Sequence, residues 1–202
     1  MTRRTWNRNI HYHDIILGAV PPHCRRALDV GCGDGRLASE LAEVCAEVIG
    51  LDNHAPTLAR ARAKHHRANL TFVDGEFMTH PFAPGSFDFV ASIATLHHLP
   101  LDPALRRLRD LLRPGGVLAV IGLHQLRTPA DFAYGVAGKL FTIWMHLTEP
   151  IEPVLAPVRD PDESLQEVRE AVDRILPGAQ FTRELLFRYS LIWKKPSGLT
   201  SG

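Results

Sequence analysis

The sequence predicts an α/β fold built on a largely parallel sheet. Three observations predict it: five apolar runs have the length of strands, a helical or capped segment separates each run from the next, and a glycine-rich loop follows the first run. Alternating strands and helices are typical of a parallel sheet whose connections cross over it. A chain of 202 residues, 45% of them hydrophobic, is expected to form one domain with a sizeable core.

The predicted strands are Arg26–Val30, Glu47–Asp52, Leu70–Asp74, Phe87–Ile93 and Val117–Leu123. Between them, the stretch from Ala55 to His66 has the pattern of a basic helix. A second helix is expected from Pro103 to Leu112, because proline suits a first helical turn, and Asp102 is its expected N-cap. The turn Pro114-Gly115-Gly116 then ends this helix and leads into the fifth strand.

Beyond residue 125 the alternation stops. A helix is expected from about Pro129 to Leu147, followed by the proline-rich stretch Glu149–Pro161, which predicts a stiff surface loop. Asp160 is the expected cap of the next helix, with Glu163 closing a capping box. The last run, Phe181 to Lys195, has strand composition but no Gly, Pro or Asn to mark a turn. It predicts either one long strand or two.

Composition and charge exclude several kinds of protein. The net charge is +1, so no global field attracts nucleic acid or an anionic membrane. Three cysteines, an odd number without metal-ligand spacing, favour reduced thiols in the cytoplasm and imply no zinc or iron site. The N-terminal stretch lacks the apolar core of a secretory signal, and the apolar segment Phe132 to Leu147 is short for a membrane span.

Three glycines, Gly31, Gly33 and Gly35, stand between the first strand and the helix that follows it. This loop lies at the carboxyl end of a strand, where open α/β sheets bind ligands, and missing Cβ atoms allow a ligand to approach the backbone. A tight turn without a ligand is one alternative. Dinucleotide binding is another, although its fingerprint requires a small residue where Arg36 stands. Asp29 before the loop favours a ligand with a positive charge.

At these residues the chain resembles a family. The stretch Asp29-Val30-Gly31-Cys32-Gly33-Asp34-Gly35 resembles the first motif of the class I S-adenosylmethionine-dependent methyltransferases, and the resemblance extends over about residues 25 to 125. Gly50-Leu51-Asp52, Phe72-Val73-Asp74, Phe87-Asp88-Phe89-Val90 and Leu112-Arg113-Pro114-Gly115-Gly116 are similar to the family's later motifs, in order and at matching spacing. The resemblance implies a Rossmann-like three-layer sandwich, with a mostly parallel seven-stranded sheet and an antiparallel C-terminal strand.

The resemblance also implies a binding site for S-adenosylmethionine, the methyl donor. Asp52 would accept hydrogen bonds from both ribose hydroxyls, and Asp74 would contact the adenine, with Gly75 or Glu76 offering a backbone N–H. Asp29 would face the positive charge. Further contacts are implied for Gly31, Cys32, Gly33, Asn53, Ile93 and Tyr12. A capping or turn aspartate is the alternative for Asp52 and Asp74.

His97 and His98 are the candidate catalytic residues, because the segment after the fourth strand faces the methyl group in this family. A general base is needed only if the acceptor is protonated. Neighbouring helical residues point in different directions, so at most one of them is expected to face the cleft, and His97 is favoured. A packing or capping role is the alternative for each.

The expected organisation is a single domain over residues 1–202. Residues 1–24 form an N-terminal helical cap, in which Tyr12 or His13 is a candidate contact of the donor or acceptor. A surface helix with an aromatic anchor is the alternative. Residues 25–125 form the cofactor-binding core, residues 126–161 an inserted helix and loop, and residues 162–196 the last helix and strands. Aromatic and sulfur-containing side chains make the insertion a candidate wall for the acceptor, or a core or dimer face: Phe132, Tyr134, Phe141, Trp144 and Met145.

The sequence therefore predicts a methyltransferase that acts on a small molecule, as a cytoplasmic monomer or homodimer without metal, membrane or nucleic-acid partners. Three alternatives stay open: an NAD-linked oxidoreductase, a nucleic-acid methyltransferase and a donor-binding protein that no longer catalyses. Arginines cluster on two predicted helices, but no aromatic residues interleave with them to stack on bases.

Overall fold

The structure is a computed structural model that describes residues 7–148 and 160–198. In these residues the strands are Arg26–Val30 (β1), Glu47–Asp52 (β2), Leu70–Asp74 (β3), Phe87–Ile93 (β4), Leu112–Leu123 (β5), Gln180–Glu184 (β6) and Arg188–Lys194 (β7). The helices are His13–Gly18 (α1), Arg36–Leu41 (α2), Ala55–Lys64 (α3), Leu101–Leu111 (α4), Pro129–Thr148 (α5) and Leu165–Ile175 (α6).

The seven strands form one sheet in the order β3-β2-β1-β4-β5-β7-β6. Strands β1 to β5 pair in parallel, whereas β7 runs antiparallel to both of its neighbours. This arrangement confirms the predicted Rossmann-like α/β fold. Because the strand order reverses between β1 and β4, their carboxyl ends flank the crevice in which such sheets bind ligands.

Apolar layers cover both faces of the sheet, which is why its parallel strands are nearly continuous apolar runs. One layer contains Leu105 and Leu108 of α4 together with Val168 and Val172 of α6. The other contains residues of the first three helices, including Ile16, Leu37 and Leu58. The sandwich therefore has the three layers that the resemblance implies.

Two predicted helix caps are wrong. Helix α4 begins at Leu101, so Asp102 lies inside the first turn, where its carboxylate forms an ion pair with Arg174 at 2.6 Å. Helix α6 begins with a capping box made by Ser164 and Glu167 instead of Asp160 and Glu163. The capping box that forms is the one next to the buried apolar stripe of α6, which is Val168, Val172 and Ile175, because burial of this stripe fixes where the helix begins.

The C-terminal run makes two strands joined by the three-residue turn Leu185–Phe187. Leu186 and Phe187 have φ angles of +59° and +61°, in the left-handed region that favours glycine. The break is therefore at residues that carry no sequence signal for a turn.

Helix α5 leaves one apolar face exposed. Val136, Leu140, Ile143, Trp144 and Leu147 are each more than half exposed, and their spacing places them on one side of the helix. In the described part of the chain, no helix is both long and apolar enough to cross a bilayer.

Candidate active site

The three glycines after β1 all have positive φ, at +72° for Gly31, +53° for Gly33 and +79° for Gly35. They differ in what surrounds them. A Cβ at Gly31 would overlap the side chain of Thr95, and one at Gly35 would overlap the ring of Phe72. Among the described residues, a Cβ at Gly33 would meet nothing within 4 Å. Gly31 and Gly35 therefore permit close packing, whereas Gly33 exposes its backbone to open space that a ligand can enter.

Hydrogen bonds fix this glycine loop to the carboxyl end of β2. The backbone N–H groups of Gly31 and Cys32 both donate to the carbonyl of Leu51, at 2.8 and 3.0 Å. The next N–H, of Gly33, donates to the Asp52 carboxylate at 2.9 Å. The chain's own hydrogen bonds thus hold the loop and the acid side by side.

Asp52 is half-buried, and each of its carboxylate oxygens accepts one backbone hydrogen bond. Oδ2 accepts from Gly33, and Oδ1 accepts from His54 at 2.8 Å. An ionised carboxylate has about four lone-pair positions, so both oxygens keep capacity for a further donor. A pair of neighbouring hydroxyls fits that arrangement.

The ends of β2 and β3 bring together the other acids of the predicted site. Asp52 and Asp74 are register partners in the parallel pair, and the Gly75 N–H donates to the Asp52 carbonyl at 3.0 Å. The side chain of Asn53 donates to Glu76 Oε2 at 2.8 Å. These five residues therefore form one polar edge beside the glycine loop.

Asp29, at the end of β1, is the most deeply buried carboxyl of this region, with 1% of the residue exposed. Its Oδ2 has no hydrogen-bond partner in the described residues. Burial, and to a lesser degree the neighbouring charge of Asp52, raises the pKa of Asp29 to about 8. A cation placed against this carboxyl would favour its ionised form. A buried carboxyl oxygen without a partner fits a positively charged ligand and opposes a pyrophosphate.

The segment after β4 covers the glycine loop from the other side of the crevice. Ala94 has a φ of +53°, and its N–H donates to the carbonyl of Ile121 at 2.8 Å. This bend places Thr95 against Gly31. Left-handed backbone at a residue other than glycine is strained, and such strain is concentrated at functional sites.

A single 3₁₀ turn, Leu96–His98, follows Thr95 and carries both candidate histidines. His97 is buried and His98 is exposed, while their ring centroids lie 4.1 Å apart. The two side chains thus have opposite environments. Ile93, the last residue of β4, is buried and packs in the same layer as Cys32.

The N-terminal segment covers the sheet near β7. Tyr12 is buried, and its hydroxyl donates to the carbonyl of Leu185 at 2.6 Å. His13 instead pairs with Glu40 of α2. Tyr12 therefore contacts the turn between β6 and β7, and His13 ties the N-terminal helix α1 to α2.

The side chains of α5 that the sequence predicts as a wall for the acceptor differ in burial. Tyr134 and Trp144 are exposed, and Met145 packs against the core layer that contains Tyr12. The side chains of Phe132 and Phe141 lie outside the described residues.

Sequence reasoning missed two residues of this region, Thr95 and Arg188. Thr95 contacts Gly31, and only the three-dimensional approach of β4 to β1 reveals it. Arg188 is 5% exposed and lies in the run Leu-Leu-Phe-Arg-Tyr-Ser-Leu-Ile-Trp. A single charge inside an apolar strand was the available signal.

Comparison with known proteins identifies the family. A profile of the methyltransferase domain matches residues 28–120. An uncharacterized methyltransferase of Mycobacterium tuberculosis (strain H37Rv) is 36% identical over 202 aligned residues, covering 95% of this chain and 98% of the relative. The chain belongs to the class I S-adenosylmethionine-dependent methyltransferases. This assignment makes the protein an enzyme of the methyl-transfer class.

Two further proteins show how far the similarity extends. The methyltransferase is 39% identical to a ubiquinone biosynthesis O-methyltransferase of Xanthomonas campestris over 131 residues, which cover 62% of this chain and 53% of that protein. The crystal structure of a putative S-adenosylmethionine-dependent methyltransferase from Listeria monocytogenes superimposes with a TM-score of 0.65 at 15% identity, covering 91% of this chain and 97% of the other. The second comparison shows a common fold.

Proposed function

We propose that this methyltransferase takes a methyl group from S-adenosylmethionine and transfers it to a small organic acceptor. One observation carries the proposal: where the strand order reverses, the open backbone of Gly33 is bonded to the Asp52 carboxylate, and Asp29 supplies a buried carboxyl oxygen without a partner in the described residues. Together they offer a glycine-lined surface, an acceptor for hydroxyls and a countercharge for a cation.

Each element has a role toward the donor. When bound, S-adenosylmethionine supplies an electrophilic methyl group on a sulfonium. The backbone of Gly31 and Gly33 packs against the amino-acid part, Asp52 accepts from the ribose hydroxyls, and Asp29 faces the positive charge. The polar edge beside them, which includes Asn53, Asp74, Gly75 and Glu76, surrounds the adenine. Cys32 and Ile93, which are both buried, give apolar contacts.

His97 is the proposed general base. Alignment of donor and acceptor supplies much of the rate enhancement in a displacement of this kind, so a base acts only on an acceptor that carries a proton. His97 follows the Thr95 contact with Gly31 by two residues, and burial keeps its ring away from bulk solvent. The similarity to an O-methyltransferase supports an acceptor hydroxyl, from which His97 removes the proton.

Calorimetric titration with S-adenosylhomocysteine and with NAD tests the donor. We expect S-adenosylhomocysteine to bind and NAD not to bind. Tight binding of NAD alone would remove the proposal in favour of an oxidoreductase. Binding of S-adenosylhomocysteine without methyl transfer to any member of a broad panel of phenols, carboxylates and amines would indicate a donor-binding protein.

The His97→Gln and His98→Gln variants test the base with an acceptor that the panel identifies. His97→Gln should lower kcat by about 100-fold or more, the usual scale for a lost general base, while the Kd for S-adenosylhomocysteine stays within twofold. The exposed neighbour is the control, and His98→Gln should keep kcat within threefold. Equal turnover by both variants would dismiss His97 as the base.

A further inference from the structure

Arg188 is a buried cation at the edge of the sheet where the parallel strands end. It begins β7 and is the register partner of Leu123, the last residue of β5. Its guanidinium carbon lies 5.7 Å from the centroid of the Tyr12 ring, and 5% of the residue is exposed. Arg188 therefore lies at the ligand-binding edge of the fold, under the N-terminal segment.

This guanidinium has no anion in the described residues. One terminal nitrogen donates to the side-chain oxygen of Asn9, and the other donates to the carbonyl of Leu186 at 3.4 Å. Nε, which is buried, has no hydrogen-bond partner there. Burial, with the charge of nearby Arg8 as a smaller cause, lowers the pKa of Arg188 to about 10. The surroundings thus disfavour the very charge that the side chain carries.

Glu184 is the obvious candidate for a countercharge, because it is the register partner of Arg188 in the β6–β7 pair. Its Oε1 instead accepts from the hydroxyl of Ser190 at 2.7 Å, and in the described part of the chain it forms no ion pair with Arg188. A buried guanidinium without an anion is costly to maintain. An anion from outside the chain would remove that cost.

The turn before Arg188 holds the residue in place under strain. Leu186 and Phe187 both have left-handed backbone, and Leu186 is buried with 3% exposed. Phe187 packs so closely on α5 that a Cβ at Gly135 would lie 2.8 Å from its ring. Strained backbone that is held in place by packing is typical of binding sites. Here the strained residues directly precede Arg188.

The position of β7 distinguishes two possible anions, the carboxylate of the donor and a group on the acceptor. Strands β4 and β5 lie between β1 and β7, and three strand spacings amount to about 14 Å. The glycine loop that packs against the amino-acid part of the donor follows β1. Arg188 is therefore on the acceptor side of the crevice.

We propose that Arg188 is an anion-binding residue of the acceptor site, so that the acceptor is a small molecule with a carboxylate or phosphate group. A guanidinium whose Nε–H has no partner in the described residues can donate a pair of hydrogen bonds to such an oxyanion. The ring of Tyr12 lies beside the guanidinium and supplies an apolar contact. This inference rests on the methyl-transfer function proposed above and specifies its substrate class.

The test uses full-length protein saturated with S-adenosylhomocysteine and three probes that share a phenyl ring: benzoate, phenyl phosphate and the neutral benzamide. Calorimetry at pH 7 and low ionic strength measures each Kd. We expect one of the anions to bind at least tenfold more tightly than benzamide. The anion with the lower Kd identifies the substrate class. This preference should fall below twofold in Arg188→Met.

Arg169→Met is the matched control, because Arg169 is an exposed arginine that stacks on Phe181, with 4.8 Å from its guanidinium carbon to the ring centroid. It removes the same charge and the same type of stacking but should keep the preference for the anion. Equal binding of the three probes by the native protein, or a preference that survives Arg188→Met, overturns the inference.

Two measurements separate the remaining outcomes. In native protein with ¹⁵N-labelled arginine, saturating anion should shift the Nε–H resonance of Arg188, and an unmoved resonance overturns the inference even if Arg188→Met does not fold. The Kd for S-adenosylhomocysteine should stay within twofold in Arg188→Met; a tenfold loss would assign the anion to the donor instead. Failure of native protein to bind S-adenosylhomocysteine would count against the proposed function, whatever the probes show.

Discussion

The glycine loop after β1 and the turn between β6 and β7 both hold their backbone in the left-handed region, but with opposite kinds of residue. The first uses Gly31, Gly33 and Gly35. The second uses Leu186 and Phe187, for which that conformation costs about 1–2 kcal/mol per residue. The glycine loop thus avoids strain, whereas the turn maintains strain by packing its side chains.

The difference separates two ways of shaping a site. A loop without side chains presents backbone groups to its ligand, and Gly33 leaves that surface open. A turn with large side chains presents little backbone, since Leu186 is buried and Phe187 packs on α5, and it leads directly into Arg188. The proposed donor side of this enzyme is therefore defined by the backbone, and the proposed acceptor side by packed side chains.

Gly31→Ala should have the largest effect of these variants, because it places a side chain in the glycine loop. The new methyl group overlaps Thr95, and the backbone at +72° becomes strained. We expect the free energy of unfolding to fall by about 2–4 kcal/mol, measured by calorimetry as a decrease in Tm of about 4–16 °C. Gly18→Ala is the control, because that glycine has ordinary backbone and nothing within 4 Å. Equal Tm values for the two variants would contradict the close packing.

Asp52→Ala tests the acid that the glycine loop contacts. The substitution removes the acceptor of two backbone N–H groups and of the proposed ribose hydroxyls. We expect the Kd for S-adenosylhomocysteine to rise at least tenfold, on the scale of about 1.5–3 kcal/mol for a hydrogen bond to a charged group. Asp34→Ala, which removes a surface carboxylate paired with Lys64, should leave it within twofold. An unchanged Kd in Asp52→Ala would refute the ribose contact.

The pH dependence of donor binding tests the buried charge beside the loop. Asp29 must lose its proton to face a cation, and its pKa is raised to about 8, chiefly by burial. Affinity for S-adenosylmethionine should therefore increase with pH below that value, and we expect about fivefold or more between pH 6 and 7.5. The amino group of the donor stays largely protonated in this window.

Asp29→Asn should bind more weakly at pH 7.5 and remove most of this slope, measured by the same titrations. Native protein whose affinity does not change with pH would show that Asp29 does not face the charge of the donor.

Ala94→Gly should have the smallest effect of these variants, and it should stabilise the protein instead of destabilising it. Ala94 is strained like Leu186, at a φ of +53°, but has little side chain to pack. Glycine should relieve the strain and raise the free energy of unfolding by about 0.5–1 kcal/mol. Ala104→Gly, within helix α4, should lower it by about 1 kcal/mol. Denaturant unfolding measures both, and destabilisation by Ala94→Gly would show that the bend is not strained.

The sequence closely predicts the part of the fold that contains the glycine loop and strands β1 to β4, because the signals for these elements are local. Glycine marks the loop, and each of the first four strands is an apolar run whose bounds match the structure. Asp52 and Asp74 end adjacent parallel strands, so their proximity is a consequence of the topology.

The rest of the fold depends on contacts between residues distant in the chain. The turn at Leu186 and Phe187 lacks turn residues because packing on α5 holds it. The cap of α6 is Ser164 instead of Asp160, since two capping boxes compete and only burial of the apolar stripe selects one. The buried guanidinium of Arg188 likewise depends on the N-terminal segment 179 residues away, where Asn9 accepts its hydrogen bond.

The order of strands in the sheet also constrains how the chain can be made. A ribosome releases β6 before β7, yet β7 lies between β5 and β6 and is the register partner of both. Until Arg188–Lys194 has emerged, β6 has no place in the sheet and the outer edge of β5 remains unpaired. A nascent chain stalled before Arg188 would therefore carry an open strand edge, the kind that recruits chaperones or aggregates.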